Sequence, residues 1–380
     1  MKTRKIAAGV AVLALVGAGA YGGVVWWPAH QSRAAVAKAD ELFGYLNRVA
    51  VDVNIGVPQY QSGNAIYSPV TFTISQTAPQ PPIKATIQRV TVTPEGAATL
   101  EQARFAVTTP DGDVALGTDL STIEAFEVQD GIPLHLKTQI SKPSLTGPSI
   151  DKLKRQLGVV DLLLANAPAS VQTIPAQILT SLGNLSVALN LRYDPAKEYL
   201  AYTGSYNLPE LLGLEIAFAA NAVSLDAMKS ANLLHDPALK AQENPALSDL
   251  SKGAVLSHLA EQGDLESVQL NLSDQGLLTR LVQIYGAITK LPDVDARTKL
   301  VEIVNQYPVE SLVEEVPTPE TQQVLADARS AVVTVLKGEA SRLVIEARPR
   351  DQAKLDALQL KLTTLNDVAS ALDIDVSARK

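Results

Sequence analysis

A two-residue hydrophobic period constrains this chain more than any other feature. Leu185, Val187, Leu189, Leu191 and Tyr193 alternate with Ser186, Ala188, Asn190 and Arg192. The same period recurs at Val70, Phe72 and Ile74, at Leu134, Leu136 and Ile140, at Leu214, Ile216 and Phe218, and at Val268, Leu270 and Leu272. Successive side chains of a strand point to opposite faces, so each run predicts a strand with one apolar face and one wet face. Clean alternation predicts antiparallel pairing, because parallel strands are buried on both faces and read as unbroken apolar runs. Pro110-Asp111-Gly112-Asp113, Asp130-Gly131 and Asp194-Pro195-Ala196-Lys197 supply turns between neighbouring runs. Between Ile87 and Val90 the apolar set changes parity, which predicts a bulge.

Helical periodicity lies between and after these runs. Ser32 is placed to cap a helix over Arg33 to Asn47, a stalk or a cover. Asp151 to Ala165, Leu277 to Leu291, Asp295 to Tyr307 and Asp351 to Leu362 also read as helices. Pro319 to Lys337 has the fullest signals: Thr318 as cap, Pro319 at the first position and Gly338 past the end. Arg342 to Ala347 reads as a strand, Ile374-Asp375-Val376 as a short segment, and Asn232 to Gly253 as a loop with short helical turns. The expected fold class is α+β: an extended, curved antiparallel sheet with amphipathic helices over its apolar face, following an N-terminal transmembrane helix. Two lobes are expected to meet near residues 168–182.

That N-terminal helix rests on Ile6 to Trp27, a run without a charge after Lys2, Arg4 and Lys5. A bilayer core of about 30 Å needs about 20 such residues. The basic start assigns residues 1–5 to the cytoplasm, and Trp26 and Trp27 suit the opposite interface, with Pro28 as a stop. Residues 6–27 would then be an inner-membrane signal anchor, residues 28–60 a helical stalk and linker, and residues 61–380 a periplasmic body. The alternative is cleavage after Ala20, since Ala18-Gly19-Ala20 fits a signal-peptidase site. Gly19 and Gly23 form a small-residue pair of the kind that packs helices in membranes.

Composition narrows function mainly by exclusion. The net charge of −8 counts against a nucleic-acid partner. With no cysteine there is no disulfide, thiolate metal site or thiol nucleophile. His30, His135, His235 and His258 are not spaced for a metal and read as surface residues. Gly17, Gly19 and Gly22 match a dinucleotide fingerprint but lie inside the apolar run, away from any strand–helix unit. Ser149 and Lys152 match S-x-x-K, yet the companion motifs of Ser–Lys hydrolases are missing and Ser149 equally suits a helix cap. Glu310, Glu314 and Glu315, and the pair Asp293 and Asp295, read as solvated acidic loops. Ser273 to Arg280 joins a strand to a helix, with Asp274 or Ser273 as cap or as part of a partner-binding turn. No catalytic, cofactor-binding or metal-binding residue is expected.

The basic start, the apolar anchor and strands such as Leu185 to Tyr193 and Arg342 to Pro349 resemble the YdgA-like and AsmA-like bacterial envelope proteins. The resemblance is one of layout over most of the chain. It implies an inner-membrane-tethered, periplasmic, β-rich protein engaged in envelope maintenance or lipid handling, and it carries over no functional residue. The aliphatic strand faces have two readings: cover by helices of the same chain, or a groove for acyl chains. The expected function is therefore non-enzymatic binding of a lipid or an envelope partner. A protein–protein adaptor of an inner-membrane complex is the alternative, and a hydrolase built on Ser149 and Lys152 the remote one.

Overall fold

The computed structural model of the chain describes residues 27–74, 82–109, 112–129, 132–226, 228, 264–308, 316–350 and 365–380. In chain order these form α1 (Trp27–Val49), β1 (Val51–Asn54), β2 (Gln59–Gln61), β3 (Asn64–Tyr67), β4 (Val70–Ile74), β5 (Ile83–Val92), β6 (Ala98–Thr109), β7 (Gly112–Gln129), β8 (Ile132–Ser141) and β9 (Ser144–Thr146). There follow α2 (Pro148–Leu163), α3 (Ala169–Gln172), α4 (Ile174–Leu182), β10 (Ser186–Asp194), β11 (Tyr199–Leu208), β12 (Leu212–Asn221) and β13 (Asp264–Asp274). The chain closes with α5 (Leu277–Thr289), α6 (Asp293–Gln306), α7 (Pro319–Lys337), β14 (Arg342–Pro349), α8 (Leu365–Ala371) and β15 (Leu372–Arg379).

The strands make one 15-stranded antiparallel sheet whose main path runs β1-β4-β5-β6-β7-β8-β10-β11-β12-β13-β14-β15. It is a meander in which strands adjacent in sequence are mostly adjacent in space, as short connections dictate. The α+β class and the antiparallel pairing expected from the alternation are both present. Residues 168–182 hold α3 and α4, yet β8 and β10 on either side pair directly, from Ser186 opposite Ser141 to Arg192 opposite His135. The segment Ile374-Asp375-Val376 is the middle of β15, an edge strand in register with β14.

Two cores flank the sheet's centre. At one end α1 lays Ala35, Ala39 and Phe43 on β3 to β6, against Tyr67, Val70, Phe72, Ala85, Ile87, Val90 and Val92. The ring of Phe43 meets that of Tyr67 edge-on at 4.8 Å, a favoured aromatic geometry. At the other end α8 lays Ala371 and Val368 on Ala347, Val268 and Ile374, and buried Val335 and Leu336 of α7 cover the strands beside it. Helices α2 to α5 share a core of their own around Leu164, Val171, Ile174 and Ile284.

Several sequence expectations change. The parity switch in β5 is real: Ala85 and Ile87, then Val90 and Val92, all face α1. It is not a bulge, because β5 and β6 keep one register from Ile83 opposite Val107 to Val92 opposite Ala98. Instead Gln88, Gln102 and Asp119 stand at one level of three adjacent strands, each skipped by the pairing on both sides, so all three strands reverse their pleat together. Gln102 makes the adjustment at φ 49°. The cost is offset by buried Thr118, which donates to the carbonyl oxygens of Leu120 at 2.9 Å and Ser141 at 3.1 Å. The β7–β8 pairing does shift register, between Ile123 and Ala125 and again between Glu127 and Val128.

Helix α1 contains Ser32 in its interior, so Ser32 is not its cap; the expected stop at Pro28 belongs to the anchor, nearly all of which lies outside the described residues. Gly147, not Ser149, is the cap residue of α2. Its φ of 139° is open to glycine alone without strain. Thr318 and Gly338 bound α7 as expected: the Thr318 hydroxyl accepts from the Thr321 N–H at 3.3 Å, and Gly338 adopts φ 78°. No helix among the described residues is long and apolar enough to cross a membrane. Residues 1–26, and with them nearly all of the expected anchor, lie outside the described residues, as do the expected helix 351–362 and the expected loop 232–253.

Candidate functional site

The residues weighed for chemistry are not brought together. Ser149 and Lys152 occupy the first turn of α2, and their side chains lie outside the described part of the structure. His135 projects from the polar face of β8 opposite Glu127. It is half-buried, and its Nε2 is buried with no hydrogen-bond partner among the described residues, so it is not the solvated residue expected. His235, His258, Glu310, Glu314 and Glu315 lie outside the described residues. Asp293 and Asp295 fall in the first turn of α6, where a carboxylate interacts favourably with the helix dipole. Among the described residues, no group of three or more His, Asp or Glu could hold a metal ion. The turn Ser273 to Arg280 acts as a cap: Asp274 Oδ1 accepts from the N–H groups of Gly276 at 3.2 Å and Leu278 at 3.0 Å.

The face of the central strands is where the molecule departs from ordinary packing. Register aligns Thr138, Leu189, Gly204, Ile216, Leu270, Ile345 and Val376 in one row across seven strands. The next row is Ile140, Val187, Tyr206, Leu214, Leu272, Leu343 and Ala378, and the row on the other side begins Leu136, Leu191, Tyr202, Phe218. At a strand spacing of about 4.8 Å each row is roughly 30 Å long. The ends of this surface lie under helices, but Val187, Leu189, Ile216 and Leu270 in the middle are only half-buried and belong to none of the packed clusters. One margin is closed by Val223 and Met228, which pack on Tyr193, Leu200 and Ala220. At the opposite margin the strip passes beneath α5 and α7 as a cavity of about 160 Å³. Leu212, Leu272 and Leu343 form its floor, Leu277, Leu278, Val332, Val335 and Leu336 its roof, and Asp274 is the one polar residue in its lining. Aliphatic cavities of this size stay dry and accept small apolar molecules.

Tyr202 and Tyr206 sit in the middle of the strip, on the same face of β11, with Gly204 between them. The Tyr202 ring lies over Gly204: a methyl group there would meet Tyr202 Oη at 2.7 Å and Cζ at 3.2 Å. Burial raises the Tyr202 phenol above its usual ionisation range, and the adjacent Tyr206 hydroxyl adds to the effect. The sequence reading missed this pair because it did not pick out β11 as a strand. Its inward positions include Gly204 and its outward positions Tyr199 and Ala201, so the contrast between faces is weak. The available signal was the spacing Tyr202-x-Gly204-x-Tyr206, which puts all three on one face of a strand.

The opposite, wet face of β11 to β15 borders a polar cavity of about 490 Å³ lined by Ser205, Asn207, Gly213, Glu215, Gln269, Asn271, Ser273, Arg342 and Arg379 among others. Most of its polar atoms satisfy one another. Asn271 donates to Glu215 at 3.2 Å, Gln269 to Glu346 at 3.3 Å and Gln275 to Asn207 at 2.8 Å, while Arg379 pairs with Glu346 at 3.0 Å. These are the cross-strand contacts that stabilise the wet side of an antiparallel sheet. The half-exposed aliphatic strip is therefore the stronger candidate site. No protein-family model and no curated protein sequence matches the chain.

Proposed function

We propose that this chain is a non-enzymatic binding protein, tethered in a bacterial inner membrane by residues 6–27, that holds lipid acyl chains along the aliphatic strip on the periplasmic side. The observation that carries this reading is that Val187, Leu189, Ile216 and Leu270 are only half-buried and join no packed cluster, between two well-packed cores. An apolar strip that the helices leave partly open supports an interaction site, and its rows of Val, Leu and Ile suit an acyl chain. The 22 uncharged residues from Ile6 to Trp27 would keep the strip beside a lipid source. Mass spectrometry of gently purified full-length protein tests the reading. Co-purifying lipid that is lost on Leu189→Asp is the expected result, and a lipid-free wild-type protein would overturn it. A reporter fused after Lys380 that is active only in the cytoplasm would overturn the topology.

A second reading, a protein adaptor, is favoured by the helices. Leu162, Leu163 and Val294 are 77%, 61% and 75% exposed, apolar surface that a protein partner would cover. Crosslinking in intact cells from Leu162 should then capture one specific protein; the absence of any product would end this alternative.

A further inference from the structure

An open sheet ends in strands whose outer backbone groups have no partner, and proteins usually blunt such edges. At one end β1 is four residues long and irregular in register. The other end is different. β15 runs eight residues and keeps one unbroken register with β14. Arg350 donates its backbone N–H to the Ala371 carbonyl at 3.0 Å, and Ser341 donates to the Arg379 carbonyl at 3.1 Å. Odd-numbered residues of β15 therefore turn their backbone groups towards β14, and even-numbered ones turn theirs outwards. Arg350 Nε takes the outward carbonyl of Leu372 at 3.0 Å. The N–H and carbonyl groups of Ile374, Val376 and Ala378 are left without a partner among the described residues.

A second copy of β15 fits this edge when laid antiparallel along it, with a two-fold axis through Val376. Val376 then pairs with its own copy and Ile374 with Ala378, which uses every one of the outward groups of those three residues. On the wet face the same register sets Asp373 opposite Arg379 and Asp375 opposite Ser377, once on each side of the axis. Asp373 and Asp375 are 82% and 66% exposed, and their partners within the chain, Arg350 and Arg379, stand 3.9 Å away. Both carboxylates are therefore loosely held. Ser377 Oγ is buried and has no partner among the described residues. Moving the axis to Asp375 would set that carboxylate against its own copy, a repulsive pair. A strand of some other protein could satisfy the backbone equally well, but the match of charge is a property of β15 with itself.

We infer that β15 is the interface of a two-fold dimer, in which two copies of the chain join their sheets edge to edge with Asp373 of each opposite Arg379 of the other. The inference is independent of the lipid reading, since it rests on the edge of the sheet and not on its aliphatic face.

The chain has no cysteine, so introduced ones report the register directly. Two differently tagged full-length chains, one Asp375→Cys and the other Ser377→Cys, are co-expressed and oxidised. Opposite residues of a non-hydrogen-bonded pair lie about 4.5 Å apart at Cα, within reach of a disulfide. Two copies of either position would lie roughly 8 Å apart, out of reach. The mixed disulfide should be the main product; its absence, or equal coupling of Asp375→Cys to itself, overturns the inference. Charge supplies a test that a folding defect cannot imitate. Sedimentation of the full-length chain in mild detergent gives the concentration at which half of it is dimeric. Asp373→Arg alone, or Arg379→Asp alone, should raise that concentration about tenfold, because two attractive pairs become repulsive. An equal mixture of the two variants should return to the wild-type value, since each then meets its opposite charge, whereas a damaged fold would not recover on mixing. A wild-type chain that stays monomeric at every concentration, or a mixture no better than its components, overturns the inference.

Discussion

Arg280 of α5 reaches back to Glu210 in the turn between β11 and β12, with Nη2 3.2 Å from Oε2. The same guanidinium donates through Nη1 to the Glu210 carbonyl oxygen and through Nε to Gln177 of α4 at 3.2 Å. One side chain thus joins the sheet, α5 and α4. The two partners should contribute unequally. Arg280 is 15% exposed and Glu210 77%, so the carboxylate end is screened by solvent and the charged bonds to neutral acceptors matter more. Arg280→Ala should cost about 2 kcal/mol, while Glu210→Gln should stay within about 0.5 kcal/mol. Urea midpoints of the two variants check this, and equal losses would show that the ion pair itself dominates.

Thr118 tests the coordinated pleat reversal. Thr118→Val keeps the shape but removes the donor to Leu120 and Ser141. Both bonds are part-buried, so their loss should cost about 1 kcal/mol. Thr108→Val, at an exposed position of β6, should change stability by less than about 0.5 kcal/mol. Chemical denaturation of both variants provides the comparison.

Core and strip should respond differently to truncation. Leu200 is 1% exposed beneath Val223 and Met228, so Leu200→Ala should cost about 2–5 kcal/mol. Ile216 is half-buried and belongs to no packed cluster, so Ile216→Ala should cost about 1–2 kcal/mol, because part of the side chain stays accessible and the site can collapse onto what is lost. A loss at Ile216 as large as that at Leu200 would mean that the strip is sealed in the free protein.

Acid should weaken the start of α7 through Glu320. Its carboxyl is held below the ordinary value of 4.5, first by hydrogen bonding to its own backbone N–H and then by the Thr318 hydroxyl, with the Arg350 charge adding a smaller share. A carboxylate depressed in the folded state stabilises that state above its unfolded pKa, and the contribution fades as pH falls through the folded value. Glu320→Gln should therefore be less stable than wild type at neutral pH, and the gap should close as pH drops below 4.5. Urea midpoints across that range give the answer; a gap independent of pH would assign the effect to something other than ionisation.

The fold was readable where local chemistry has one solution. Thr318, Pro319 and Gly338 specify the ends of α7 because a cap oxygen, a fixed φ and a left-handed residue act within a turn of the backbone. Leu185 to Tyr193 specified β10 because a slip of one residue would send its aliphatic set into water. Strands β6, β7 and β11 escaped notice because their two faces differ little in polarity. The switch at Gln88 was visible but misassigned: a parity change in one strand cannot reveal that Gln102 and Asp119 compensate in its neighbours.

The sequence by itself determined an antiparallel α+β protein with an aliphatic sheet face, because side-chain alternation and capping are local properties of the backbone. It did not determine what covers that face. Cover depends on where helices land after long connections, and the tertiary structure places α1 over β3 to β6 and α7 and α8 over β14 and β15, with the strip between them half-exposed. Only the register could set Tyr202 and Tyr206 in the middle of that strip, since a residue's neighbours across a sheet are fixed by pairing and not by distance along the chain.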